Sequence, residues 1–197
     1  MYVKLLSQLR SKAIVTEAQT GLTAIQGISQ SLKAVLVTDP GVTKRKHSAV
    51  AQRLVSYVKE DGGTVVFMGH FSGFISPSDM NAFFSNQWNL PWKFGAYHRT
   101  TFSLNTHHNR SMDSIHNLPR TCSMKAVHLR NVPLEAVIYT ATDNSRLESL
   151  VFAPTAIEDH TEYPVVFTQM GNGHLGYIGD VNTEEEDSRV IFEMCGI

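Results

Sequence analysis

Along the first half of the chain the apolar positions switch between helical spacing and unbroken strand-like runs. "YVKLLSQLRS" spaces Val3, Leu6 and Leu9 as one helix face. "LKAVLVTDPG" is a short apolar strand, Ala34 to Val37, closed by Asp39 and a Pro-Gly turn. In "TKRKHSAVAQRLVSYVKEDGG", Thr43 reads as an N-cap and Val50, Leu54, Tyr57 and Val58 form one apolar face. Gly62 and Gly63 stop that helix, and a strand from Thr64 to Met68 starts at once. "SPSDMNAFF" offers Ser76 as N-cap, Pro77 at the first helical position and Asp79 in the first turn. Fully apolar strands alternating with helices predict a parallel sheet covered on both faces.

The middle of the chain reads differently. "AYHRTTFSLNTHH", "KAVHLRNV", "EAVIYTAT" and "SLVFAPTAI" are β-rich and partly alternating, as antiparallel edge strands or an insertion would be. "NTHHNRSMDSIHNLPRTCS" reads as an exposed loop that holds Cys122. "YPVVFTQMGNGHLGYIGDVN" predicts two strands around a Gly-Asn-Gly turn. "TEEEDSRVIFEMCG" predicts a last helix with acidic residues in its first turn and Gly196 just past its end. The chain opens in a helix, and "KAIVTEA" is not expected to supply the strand with which such a sheet usually begins. The expectation is one domain over 1–197, a three-layer, mostly parallel α/β sheet of flavodoxin-like type, with a β-rich insertion at about 95–160.

Composition narrows the class. The 197 residues are 42% hydrophobic, enough for a sizeable core. A formal net charge of -1 shows no global basic footprint, so nucleic acid is not an expected partner. No apolar run approaches the roughly 20 residues that span a bilayer, and "MYVKLLSQLRSK" lacks a signal peptide's apolar segment. Cys122 and Cys195 are too few for a disulfide framework or a zinc cage. These features point to a reduced, soluble, cytoplasmic protein with no metal and no cofactor.

The chemistry gathers where apolar runs end. "GGTVVFMGHFSG" carries a buried strand into Gly69-His70-Phe71-Ser72-Gly73, which invites comparison with the G-x-S-x-G elbow that exposes a nucleophilic serine. Phe71 stands at the serine's place, Ser72 comes one position late, and no cysteine lies nearby, so no serine or cysteine nucleophile is expected. His70 suits another role. "AVLVTD", "TVVFMGH" and "LGYIGD" each end in a polar residue, at Asp39, His70 and Asp180. If their strands are parallel neighbours, the three face one crevice at the carboxyl ends, where open α/β sheets bind ligands. An imidazole with two carboxylates can perform acid–base work or ligate a metal, and the same residues can equally serve as turn and helix caps. Gly69, Ser72 and Asn182 are candidate ligand contacts beside them.

Other features carry less. His107-His108 with His116 reads as a solvated loop, and Lys44-Arg45-Lys46 as a solvated face at a helix start. The Glu184–Asp187 run is explained by helix electrostatics, and Glu158-Asp159-His160 has no second feature beside it. Phe83, Phe84, Trp88, Trp92 and Phe94 exceed what one helix face buries, which predicts a core-plus-interface role and a homo-oligomer.

The Gly62-Gly63 pair, the strand that follows and its His70 tip resemble the ThuA-like (trehalose-utilisation) proteins of the class I glutamine amidotransferase-like superfamily. "YPVVFTQMGNGHLGYIGDVN" resembles their C-terminal strands, so that the likeness spans about residues 30–80 and 163–195. The resemblance implies an amidotransferase-like fold with a crevice at the strand tips. True amidotransferases need a cysteine at the elbow and a His and Glu after a late strand. This chain has neither, since its late strand ends Gly179-Asp180-Val181-Asn182. The resulting expectation is a diverged member without glutaminase activity that binds a small polar ligand. The alternatives are a hydrolase or other enzyme of carbohydrate or acyl chemistry using His70 with Asp39 or Asp180, and a dimeric interaction subunit.

Overall fold

The computed structural model describes residues 2–105, 112, 115–149, 151–184 and 187–197. Helices α1 (Val3–Arg10) and α2 (Gly21–Gly27) precede strand β1 (Ala34–Val37). Then come α3 (Ser48–Lys59), β2 (Thr64–Phe67), the short α4 (His70–Phe74) and α5 (Pro77–Trp88). The β-rich part holds β3 (Lys93–Leu104), β4 (Thr121–Arg130), β5 (Val137–Thr140) and a two-stranded ribbon, β6 (Arg146–Leu147) with β7 (Thr155–Ala156). Strands β8 (Val165–Met170) and β9 (Gly173–Ile178) form a hairpin before α6 (Asp187–Cys195).

Seven of these strands make one sheet in the order β1-β2-β9-β8-β5-β3-β4. Only its first three strands are parallel, and every pairing from β9 to β4 is antiparallel. The expected mostly parallel sheet is therefore corrected to a mixed one. The cause lies in the connections. A parallel pair needs a long crossover, which α3 supplies between β1 and β2, whereas β8 and β9 are joined by a tight turn.

Helices pack on both faces. Leu54, Tyr57 and Val58 of α3 and Phe83, Phe84 and Trp88 of α5 meet Val65, Phe67, Leu175 and Tyr177 on one face. Leu5 and Leu9 of α1 and Val190, Ile191 and Met194 of α6 meet Val66, Met68, Phe167 and Ile178 on the other. The alternation along β2 assigns Val65 and Phe67 to one core and Val66 to the other, as a strand buried on both faces requires. No strand forms over residues 12–18. Strand β1 is then a sheet edge, and all four of its residues are only half-buried.

The antiparallel half curls back on itself. The Val127 N–H of β4 donates to Gly179 O at 3.0 Å, and the Val181 N–H donates to Lys125 O at 3.0 Å. Leu129 and Tyr163 exchange both main-chain bonds, at 2.9 and 2.8 Å. The last strand of the sheet therefore clasps the ends of the β8–β9 hairpin. A Cβ on Gly179 would lie 2.0 Å from Val127 O, so this close approach requires glycine.

Several local expectations are corrected. Helix α3 starts at Ser48, and Thr43 ends a 3-10 turn formed by Pro40–Thr43. Lys44-Arg45-Lys46 therefore lies outside the first turn of α3, and Lys44 pairs with Asp79 at 2.7 Å. Helix α1 buries Leu5 and Leu9 and leaves Val3 exposed. Cys122 sits in β4 as a buried residue, not in a loop. Met112, Ile115 and Leu118, which fall in the expected exposed loop, are buried in the core. His107 and His108 lie outside the described residues, and His116 is exposed. Trp88 and Trp92, each 1% exposed, are buried by their own chain and need no second subunit.

Candidate functional site at the strand ends

Register places three strand ends side by side. Val37 of β1 pairs with Phe67 of β2, which pairs with Tyr177 of β9, all parallel. Asp39, Gly69-His70 and Asp180 therefore follow at one edge of the sheet, as the apolar runs predicted.

Their side chains are used differently. Asp39 is exposed, and its Oδ1 accepts the Gly41 N–H at 2.7 Å, capping the 3-10 turn after β1. Asp180 is 1% exposed, and its Oδ1 and Oδ2 accept the N–H groups of Asn182 at 2.9 Å and Glu184 at 2.7 Å. Asn182 is exposed on that turn and donates its amide to Glu184 Oε1 at 3.2 Å. Glu184 in turn pairs with Arg99 of β3, which ties the turn to the antiparallel half. His70 is exposed, with its ring edge-on to Tyr2 and Phe74 at 5.2 Å each. Among the described residues no hydrogen bond or ion pair joins His70 to Asp39 or Asp180, and no three His, Cys, Asp or Glu side chains converge as metal ligands.

The elbow itself is real in the backbone but sits two residues earlier than the motif comparison placed it. The sharp strand-to-helix turn is centred on Gly69, at φ 60° and ψ -118°, a conformation that L side chains rarely adopt. Phe71 is inside α4 and fully buried among Phe67, Phe83 and Phe84. Ser72 is 1% exposed and donates its hydroxyl to Ile178 O at 2.7 Å, binding α4 to the tip of β9. Neither cysteine supplies a nucleophile here. Cys195 is buried in α6, where burial pushes its thiol up to about 12.

Tyr2 is the residue that the sequence reading missed. Its hydroxyl accepts the His70 N–H at 2.7 Å and also bonds the Thr38 side chain. It lies 2.3 Å from where a Cβ on residue 69 would be. A phenol from the chain's start thus fills the space that a nucleophilic side chain at the turn would need. Burial raises its pKa above the ordinary phenol value, and the two hydrogen bonds partly oppose that shift. No local signal marks Tyr2, because its helical periodicity says nothing about a contact with the far end of β2.

A mixed sheet with helices on both faces and a strand-to-helix turn at a parallel strand tip defines an α/β protein with its candidate site at the sheet's carboxyl edge. More particularly, the fold is that of a ThuA-like protein. One from Bacteroides uniformis superposes with a TM-score of 0.60 over 97% of this chain and 80% of its own, at 10% identity. The resemblance drawn from Gly62–His70 and residues 163–195 therefore holds at the level of the fold. Two β-galactosidases also align, from Bacillus circulans sp. alkalophilus and the haloarchaeon Halorubrum lacusprofundi. They cover 93% and 96% of this chain but 28% of each of theirs, with TM-scores of 0.49 and 0.46 at 14% and 15% identity. Likeness at that level does not bear on the chemistry. No family model and no curated protein sequence matches the chain.

Proposed function

We propose that the chain is a diverged, ThuA-like member of the class I glutamine amidotransferase-like superfamily, on a flavodoxin-like layered plan, without glutaminase activity. It binds a small polar ligand in the crevice at the ends of β1, β2 and β9. The observation that carries this reading is the elbow. Its backbone is kept, yet the residue at the turn is Gly69 and the space beside it holds the Tyr2 phenol. A turn with no side chain cannot attack an amide, while the polar groups at the strand tips remain in place.

Within the crevice the ligand contacts fall to the exposed members, His70, Asp39 and Asn182, with the Gly69 main chain beside them. Ser72 and Asp180 spend their polar atoms on Ile178, Asn182 and Glu184 and hold the frame. Native mass spectrometry of the purified chain tests this with a bound small molecule as the expected result. His70→Ala and Asp39→Asn should each weaken its binding by about 10–100-fold, the loss of one charge-assisted hydrogen bond. Ammonia released from glutamine at an enzymatic rate would overturn the reading.

A further inference from the structure

His98 of β3 and His128 of β4 take no part in the strand-tip site. His98 pairs across from Ala126, so His128 is its diagonal neighbour on the same face. The two rings meet edge-on with centroids 4.3 Å apart, and Phe102 lies against His128 at 5.4 Å. His128 is 1% exposed. Among the described residues neither of its ring nitrogens has a hydrogen-bond partner, and neither does Nε2 of His98. A neutral imidazole there already leaves polar atoms unmatched. A protonated one adds a buried charge and a second unmatched donor, which is far costlier.

Little nearby offsets such a charge. Glu162 acts on His98 from the segment before β8, and its carboxylate already takes the Ala96 N–H at the β3 bulge. His98 itself opposes a proton on His128. Arg99, next to His98, and Lys125, three positions before His128, face the opposite side.

Strand β4 also clasps the strand-tip turn. Val127 and Leu129, on either side of His128, bond Gly179 and Tyr163, and Lys125 bonds Val181. We propose that the His98–His128 pair is an acid-sensitive latch, in which a proton on either ring drives β4 away from Gly179–Val181 and frees the turn bearing Asp180 and Asn182. The latch stands on these contacts alone. That it regulates ligand binding rests on the strand-tip reading above.

Its sign follows from burial, which holds His128 down at about 3 and lowers His98 as well. Above the ordinary histidine value of roughly 6.5 both forms are neutral and the pair is silent. As pH falls below that value, the open form takes protons that the closed form refuses. Closure is then disfavoured by up to tenfold per unit for His128, until the closed-form value is reached. At pH 5 the open population should have risen about 30-fold on His128 alone.

Hydrogen exchange on the full chain at pH 7 and pH 5, corrected for intrinsic rates, tests this. Peptides covering 121–130 and 177–184 should lose protection by about that factor while β2 keeps its own. His98→Phe together with His128→Phe should abolish the difference, and if that variant fails to fold, His98→Gln with His128→Gln should do the same. In the wild-type chain, imidazole NMR signals should show His128 neutral until those peptides open. Loss spread evenly over the sheet, loss that persists in the variants, or a free titration of His128 near 6.5 would each overturn the latch. Ligand binding is not read in this experiment, so failure of the strand-tip reading would leave its outcome unchanged.

Discussion

Gly69 is constrained twice over, by its backbone and by its neighbour. Alanine there would meet an unfavourable backbone and the Tyr2 hydroxyl at 2.3 Å together. Gly69→Ala should cost about 2–4 kcal/mol, from backbone strain plus a displaced hydrogen bond. Adding Tyr2→Ala removes the steric part, so the double variant should be less destabilised than the sum of the singles in denaturant unfolding. Strict additivity would show that Tyr2 does not occupy the elbow. Ser72 should stay unlabelled by a fluorophosphonate, because its hydroxyl is buried and engaged, and Ser72→Ala should cost about 1–2 kcal/mol for the orphaned Ile178 carbonyl. Stoichiometric labelling would return the hydrolase reading. Residues with local partners were legible in the sequence. Ser76 caps α5 through the Asp79 N–H three positions on, and Asp39 caps the turn two positions on. Tyr2 and Glu162 were not, because the groups they bind lie 68 and 66 positions away.

Elements were legible where period and punctuation agree. The α5 start at Ser76-Pro77, the β2 strand after Gly63 and the β8–β9 hairpin all formed where the pattern placed them. The start of α3 did not, since Thr43 bonds back to Pro40 O at 2.8 Å and closes a 3-10 turn instead. Strand β4 was misjudged at its beginning for a different reason. Polar Thr121 and Ser123 flank Cys122 in alternation, which reads as a loop until Phe102 is known to lie opposite Cys122. Helix α5 shows what its aromatics are for. Phe83, Phe84 and Trp88 surround Phe67 with ring centroids at 5.3, 5.9 and 5.7 Å, all near perpendicular. Trp88→Ala should therefore cost about 3–5 kcal/mol by thermal unfolding. A loss under about 1 kcal/mol would mean that the helix is not docked on β2.

For the whole molecule, the burial of Trp88 and Trp92 within one chain has a direct optical reading. Their emission should be that of shielded indoles and should not change on dilution through the micromolar range. A dilution-dependent red shift would restore a subunit contact at these residues. The α/β character came through in the sequence because apolar runs and helical faces alternate early in the chain. The antiparallel share of the sheet did not, because pairing partners are set by connections that span the β-rich middle. Strand β2 shows the scale of that problem, with one partner about thirty residues earlier in β1 and the other at His174–Tyr177, more than a hundred residues later. This separation has a consequence for synthesis. At ribosomal rates of about 5–20 residues per second, an interior strand of four buried residues waits several seconds with one side open before its second neighbour is translated. During that interval the nascent chain exposes a strand that the finished molecule buries completely, so recombinant yield should respond to chaperone supply and growth temperature more strongly than the finished molecule's stability would suggest.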